Sequence, residues 1–402
     1  MRHTFRRSLT LVVTVGSILA LTRSTPARSV TEREELDTLL ARYDRAPDGP
    51  IRDGLAAHID AIAHQKYATV SRLYWYVDLE SAKAAARAQG RPILHLRMLG
   101  SLEDDLSCAN SRLFRATLYA NRDLSEFLRE RFVLYWSSER PVPRVTIDYG
   151  DGRRLERTTA GNSAHYILDE HGTVLDVLPG LYAPTTFRQE LESSLALAAR
   201  VRDKSNAERA SLVANYHRQR VATAERDWAR LAATPSIPAL RQLPAPPTVS
   251  KMAIERRDLR VFAKGLAPEV VSEDQIQVWS AAGQLLYGAG GPVLDDASRA
   301  LVARLHNAGP QELRATDQDV RAILARLEQT IVADTALNQL RLRPQISREI
   351  VREGGRISFP TLNDWIQRQV FRTPREDAWL GLLQRDVFTG LPGDGVVLRG
   401  TR

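Results

Sequence analysis

Apolar positions along the chain follow three successive regimes. From residue 30 to about 70 they recur at helical spacing, through Leu36, Leu39 and Leu40 and then Leu55, Ile59 and Ile62. The interruption Pro47-Asp48-Gly49-Pro50 divides that pattern into two short predicted helices. From 71 to about 200, helical stretches alternate with short apolar runs. Residues 79–89 are alanine-rich and stop on Gly90, which predicts a glycine-capped helix. Residues 93–99 predict a strand, 108–130 a helix broken near Ala120-Asn121, and 132–136 a second strand. Strand, helix, strand implies a parallel pair joined by a right-handed crossover. Gly150-Asp151-Gly152 separates 145–149 from 153–158 as an inserted hairpin. Asp169-Glu170-His171-Gly172 separates 164–168 from 174–178 as another, and a helix from Pro184 to about Arg200 closes the region.

The third regime begins at Val201. Arginine, alanine and glutamate dominate 201–233, which reads as a long solvated helix. Residues 234–250, TPSIPALRQLPAPPTVS, read as a semi-rigid proline-rich linker. Residues 251–402 read as a mainly helical domain, with helices at 300–305, 320–331, 346–351 and 362–370. Trp279, Trp365 and Trp379 lie among apolar residues and read as core anchors; Gly288-Ala289-Gly290-Gly291 lacks the lysine of a phosphate loop and reads as a turn. No motif assigns that domain a role. The fold class expected is α/β, a sheet with flanking helices, plus a mainly α-helical C-terminal region.

Composition adds three constraints. At 402 residues, 43% hydrophobic and 26% charged, the chain is a folded protein of about two domains. Residues 1–27 have the layout of an export signal: MRHTFRR, an apolar run over 9–21, and the small residues Ser24-Thr25-Pro26-Ala27. The run is shorter than the roughly 20 residues of a bilayer span, so a periplasmic or secreted protein with no stable membrane span is expected. Residues 28–70 then form a helical N-terminal segment. The formal charge of +8 includes the arginines of that signal, and no basic stripe is interleaved with aromatics, so nucleic acid is not an expected partner. A single cysteine, Cys108, cannot form an internal disulfide.

Residues 91–200, within a domain of 71–200, resemble the thioredoxin fold superfamily, and specifically a single-cysteine variant of it. Arg91-Pro92-Ile93-Leu94 matches the start of the first active-site strand, and Cys108-Ala109-Asn110-Ser111 occupies the position of a Cys-x-x-Cys pair opening a helix. Leu124 to Val133, LSEFLRERFV, matches the helix leading into the next strand; Gly161-Asn162-Ser163-Ala164-His165-Tyr166-Ile167-Leu168-Asp169 with Gly172 is similar to the following hairpin. Leu178-Pro179-Gly180 is similar to that hairpin's ending. The resemblance implies that Cys108 is the candidate thiol, that Ser111 replaces the resolving cysteine, and that Ser163 stands where a cis-proline normally faces the sulfur. Ser163, Ala164 and Arg112 are then the candidate substrate-binding residues.

A thiolate at the first turn of a helix is favoured by free backbone N–H groups and by the helix dipole. Ser111 and Arg112 would reinforce that, while Glu103, Asp104 and Asp105 would oppose it. Such a monothiol can exchange disulfides with no net oxidation. His165 and Ser163 share a strand face, as do His95 and Arg97; a Cys108–His165 dyad is conceivable, and a satisfied polar pair beneath the helix is the simpler reading. One cysteine and eight scattered histidines give no metal-ligand spacing, so neither metal nor cofactor is expected. Two function classes follow: a binding or scaffold module with a degenerate active site, contacting a protein partner, or a monothiol exchanging disulfides of protein substrates through Cys108.

Overall fold

A computed structural model describes residues 26–158, 162–234, 273–288, 293–379, 391 and 396. It is a mixed α/β chain with a small mixed sheet and a helical C-terminal region. Helices α1 (Pro26–Arg45), α2 (Pro50–Ala63) and α3 (Ala68–Ser71) come first, and Leu36, Leu39, Leu40 and Ile59 bury between them. Helix α4 (Leu79–Gln89) has the ends its sequence predicts. Asp78 accepts the Ser81 N–H at 2.8 Å, and Gly90 closes the helix at φ 61°.

The sheet contains β1 (Ile93–Met98), β2 (Val133–Ser138), β5 (Ala164–Leu168) and β6 (Val174–Pro179), in the order β2-β1-β5-β6. β1 and β2 run parallel, from Ile93 opposite Val133 to Met98 opposite Ser138, as the strand-helix-strand pattern predicts. β5 lies antiparallel to both β1 and β6. β3 (Arg144–Asp148) and β4 (Arg154–Thr158) form the inserted hairpin as a sheet of their own. Between β1 and β2 the chain forms α5 (Ala109–Leu113), a π-helical turn over Phe114–Leu118, and α6 (Arg122–Arg131). The break foreseen near Ala120-Asn121 is a cap: Asn121 Oδ1 accepts the Leu124 N–H at 2.9 Å. The π turn was not foreseen.

Both faces of the sheet are covered, which is why its strands are buried almost without alternation. On one face His165 packs against Phe114 and against Phe187 of α7 (Pro184–Val201). On the other, His95 and Tyr166 pack against Phe359 of the C-terminal region.

That region follows α8 (Asn206–Ala232). It comprises α9 (Glu273–Tyr287), α10 (Asp296–His306), a 3-10 turn (Gln311–Leu313) and α11 (Asp317–Leu337) with a π turn at Asn338–Leu342. It ends in α12 (Arg343–Arg352) and α13 (Phe359–Trp365) with a π turn at Ile366–Val370. One apolar core runs from Leu73 through the sheet to Phe371. An ionic cluster fastens the same elements. Arg343 is fully buried and pairs with Asp176 of β6 at 2.6 Å and with Glu190 of α7, which also meets Arg220 of α8. Ser194 and Tyr216 each donate to Asp176 at 2.7 Å. Burial, the largest single influence, would raise the Asp176 pKa; Arg343, His217, Arg220 and the Tyr216 hydrogen bond together outweigh it, so the net direction is well below the usual carboxylate range.

Two expectations are corrected. α8 is not a solvated helix: Ala210, Val213, Ala214, His217 and Leu231 are buried, because α12 lies along that face. Trp279 is a core residue and Trp365 packs at the core margin, whereas Trp379 is 40% exposed and lies outside the described core. The expectations for 1–25, for the linker 235–250 and for the turn at 289–291 lie outside the described residues.

Candidate functional site

The site is built where β1 ends. Gly100 turns the chain at φ 77°, where a Cβ would crowd Val142, and the Cys108 N–H returns to Leu99 O at 3.3 Å. Cys108 thus arrives as the N-cap of α5, with extended backbone (φ −60°, ψ 154°). Its sulfur accepts the Ser111 N–H at 3.4 Å, and the thiol lies 3.4 Å from Ser111 Oγ. Ser163 Oγ, from the approach to β5, closes the other side at 3.0 Å from Sγ. The juxtaposition of Cys108, Ser111 and Ser163 is therefore real. No cis peptide bond occurs among the described residues.

The charged groups expected to compete at the sulfur are engaged elsewhere. Glu103, Asp104 and Asp105 do not turn toward the sulfur. Glu103 accepts from His64 Nδ1 at 2.7 Å, Asp104 pairs with Arg144, and Asp105 accepts from Tyr67 at 2.6 Å. Arg112 also turns away, donating to Thr158 Oγ1 at 3.1 Å; Thr158 in turn donates to Ser107 O at 3.0 Å and pins β4 to the site loop. The nearby cation is Arg115, which sequence reasoning missed. It is 1% exposed and donates to Leu102 O, Asp104 O and Ser107 Oγ, each at 3.0 Å. Ser111 Oγ donates to the same Ser107 Oγ at 2.7 Å. Burial lowers the Arg115 pKa, opposed by Tyr67, Asp105 and Cys108. The available signal was an arginine set in the apolar run Leu113-Phe114-Arg115-Ala116, seven residues after Cys108 on the same helical face.

His165 and His95 are each bonded on one side only, with Nδ1 buried and without a hydrogen-bond partner among the described residues. His165 Nε2 bonds Tyr119 OH at 2.7 Å, and burial pushes its pKa down to about 3. His95 Nε2 bonds Ser137 Oγ at 2.7 Å on the opposite face of the sheet. Burial, with Arg97 and His165 reinforcing it, lowers the His95 pKa as well. Neither histidine makes a hydrogen bond to the sulfur.

None of the five candidate residues presents an open face. Cys108, Ser111, Ser163 and Ala164 are buried, and Arg112 is half-buried and engaged. Cys108 is 0% exposed, so in this conformation a disulfide cannot reach its sulfur along the line that exchange requires. The arrangement ties Cys108, Ser107, Ser111, Ser163 and Arg115 into one buried polar cluster at a helix start, in which Arg115 Nε has no hydrogen-bond partner among the described residues. Among the described residues no group of three His, Cys, Asp or Glu side chains is placed to hold a metal, and no helix is long and apolar enough to cross a membrane.

Comparisons with protein-family models, with curated proteins and with solved structures find no match to this chain.

Proposed function

We propose that this is an exported thioredoxin-like protein without a dithiol redox centre, working as a binding or scaffold module in which the former redox position is structural. Support for the thioredoxin-like reading is the parallel β1/β2 unit, the antiparallel β5/β6 hairpin beside β1, and Cys108 capping the connecting helix opposite Ser163. The observation that carries the functional reading is the enclosure of Cys108, which is 0% exposed and held by Ser111 and Ser163. Export rests on the signal-like pattern of residues 1–27; N-terminal sequencing of the protein made in its own host tests it, and an intact Met1 end would remove that part.

The competing reading, monothiol exchange through Cys108, is favoured by the Ser111 N–H directed at the sulfur. Mass spectrometry after incubation with oxidised glutathione separates the two. A structural Cys108 stays unmodified over hours under native conditions and reacts once the chain is unfolded. A mixed disulfide forming within minutes on folded protein, and missing in Cys108→Ser, replaces the binding-module reading with exchange.

A further inference from the structure

A cavity of about 660 Å³ lies where the N-terminal helices, α3, α6 and α10 converge, away from Cys108. Five arginines line it: Arg52, Arg72, Arg122, Arg129 and Arg304. The only carboxylates in the lining are Asp44 and Glu126. Three separate stretches of chain bring these cations together, although like charges repel and must hold each other at a cost.

Their partners show how much of that charge is answered. Arg72 pairs with Asp44 at 2.6 Å, and Arg52 pairs with Asp48 at 3.5 Å while standing 4.3 Å over the Tyr43 ring. Arg122 and Arg304 are exposed, and neither guanidinium has a carboxylate within 4.0 Å among the described residues, although the Arg122 backbone N–H donates to Asp295 Oδ2 at 2.9 Å. Arg129 is half-buried and spends its guanidinium on the backbone oxygen of Ser71 at 3.1 Å. Burial lowers its pKa, Glu126 opposes that, and Arg72 adds to it. Of the five lining arginines, Arg122, Arg129 and Arg304 therefore have no carboxylate bonded to the guanidinium among the described residues, and Arg129 has only the Ser71 carbonyl.

Guanidinium forks match phosphate oxygens in pairs, and the volume is that of a small-molecule pocket rather than a single-ion site. We propose that this cavity binds a small soluble molecule carrying two or more phosphate groups, with Arg122, Arg129 and Arg304 as its principal contacts. The assignment is independent of the role given to Cys108.

Calorimetric titration of the full chain with inorganic tripolyphosphate, at constant ionic strength, tests it. Saturable binding at one site is expected, weakened at least tenfold in Arg122→Gln/Arg304→Gln. Both side chains are exposed and unpaired, so the thermal midpoint of that variant should match the parent; should it fall, Arg304→Gln alone decides, with a threefold loss expected. Lys204→Gln/Arg356→Gln, which removes two cations from the separate groove at the start of α8, should leave the affinity unchanged. No saturable binding, or equal weakening by the two pairs of substitutions, overturns the proposal.

Discussion

Arg115 is the residue on which the site's integrity turns. A buried guanidinium with three oxygen partners is stabilising only while every partner is present, since each orphaned acceptor costs about 1–3 kcal/mol. Arg115→Met should therefore destabilise the protein by roughly 3 kcal/mol or more in urea unfolding, and Arg115→Lys should recover little, because an ammonium cannot serve Leu102 O, Asp104 O and Ser107 Oγ from one plane. Ser163→Ala removes one contact to the sulfur and should cost only about 1 kcal/mol. Recovery of parent stability in Arg115→Lys would contradict the role given to the planar fork. The meeting of Cys108, Ser111 and Ser163 was legible only through the thioredoxin resemblance, which sets Ser111 one turn after the thiol and Ser163 opposite it. The directions of Glu103, Asp104, Asp105 and Arg112 were not legible. Their partners His64, Tyr67, Arg144 and Thr158 lie 38 to 46 residues away, and nothing local announces them.

At the scale of elements, glycine placement fixes how the C-terminal helices seat. Gly354 and Gly355 follow α12 at φ 62° and 76°, and both pay for any side chain in backbone strain. They differ in space. A Cβ on Gly354 meets nothing within 4 Å, whereas one on Gly355 would strike the backbone of Ala210 in α8. Gly354→Ala should lower stability by about 1 kcal/mol and Gly355→Ala by clearly more, with thermal midpoints in that order. Equal effects would mean that the α8–α12 contact yields easily. Strand positions, the α4 cap and the Asn121 break were readable, since each depends on residues within one element. The π turns at Phe114–Leu118 and Asn338–Leu342 were not, because one inserted residue leaves helical spacing intact on either side. The buried face of α8 was hidden by its many arginines, one of which, Arg220, is part of the ionic cluster.

For the whole molecule, the Asp176–Glu190–Arg220–Arg343 cluster joins β6, α7, α8 and α12, with partners up to 167 residues apart; pairing at that range leaves no trace in local pattern. Arg343→Met leaves the fully buried Asp176 without a bonded cation, while Glu190 keeps Arg220, and should cost about 3–5 kcal/mol. Acid should weaken the fold in two stages. His95, His165 and His217 have folded pKa values lowered chiefly by burial, so their neutral forms contribute stability that is lost as pH falls below their unfolded value of about 6.5. For His165 the loss continues to about pH 3. Each proton taken up only on unfolding steepens the decline by about 1.4 kcal/mol per pH unit. Asp176 and Glu190, whose folded pKa values are depressed by Arg343 against the effect of burial, add a second loss below the normal carboxylate range. Unfolding free energy measured from pH 7 to 4 should fall; a flat profile would show that the histidines are solvated.

The enclosure of Cys108 can be measured directly by following its alkylation rate across a urea series while unfolding is monitored in parallel. If the thiol is a buried helix cap, the rate at zero urea is a small fraction of that of an unfolded chain, and its logarithm rises with urea at the slope of global unfolding. A rate at zero urea close to that of a free thiol, independent of urea below the transition, would contradict the structural reading and return Cys108 to the role of an exchanging nucleophile.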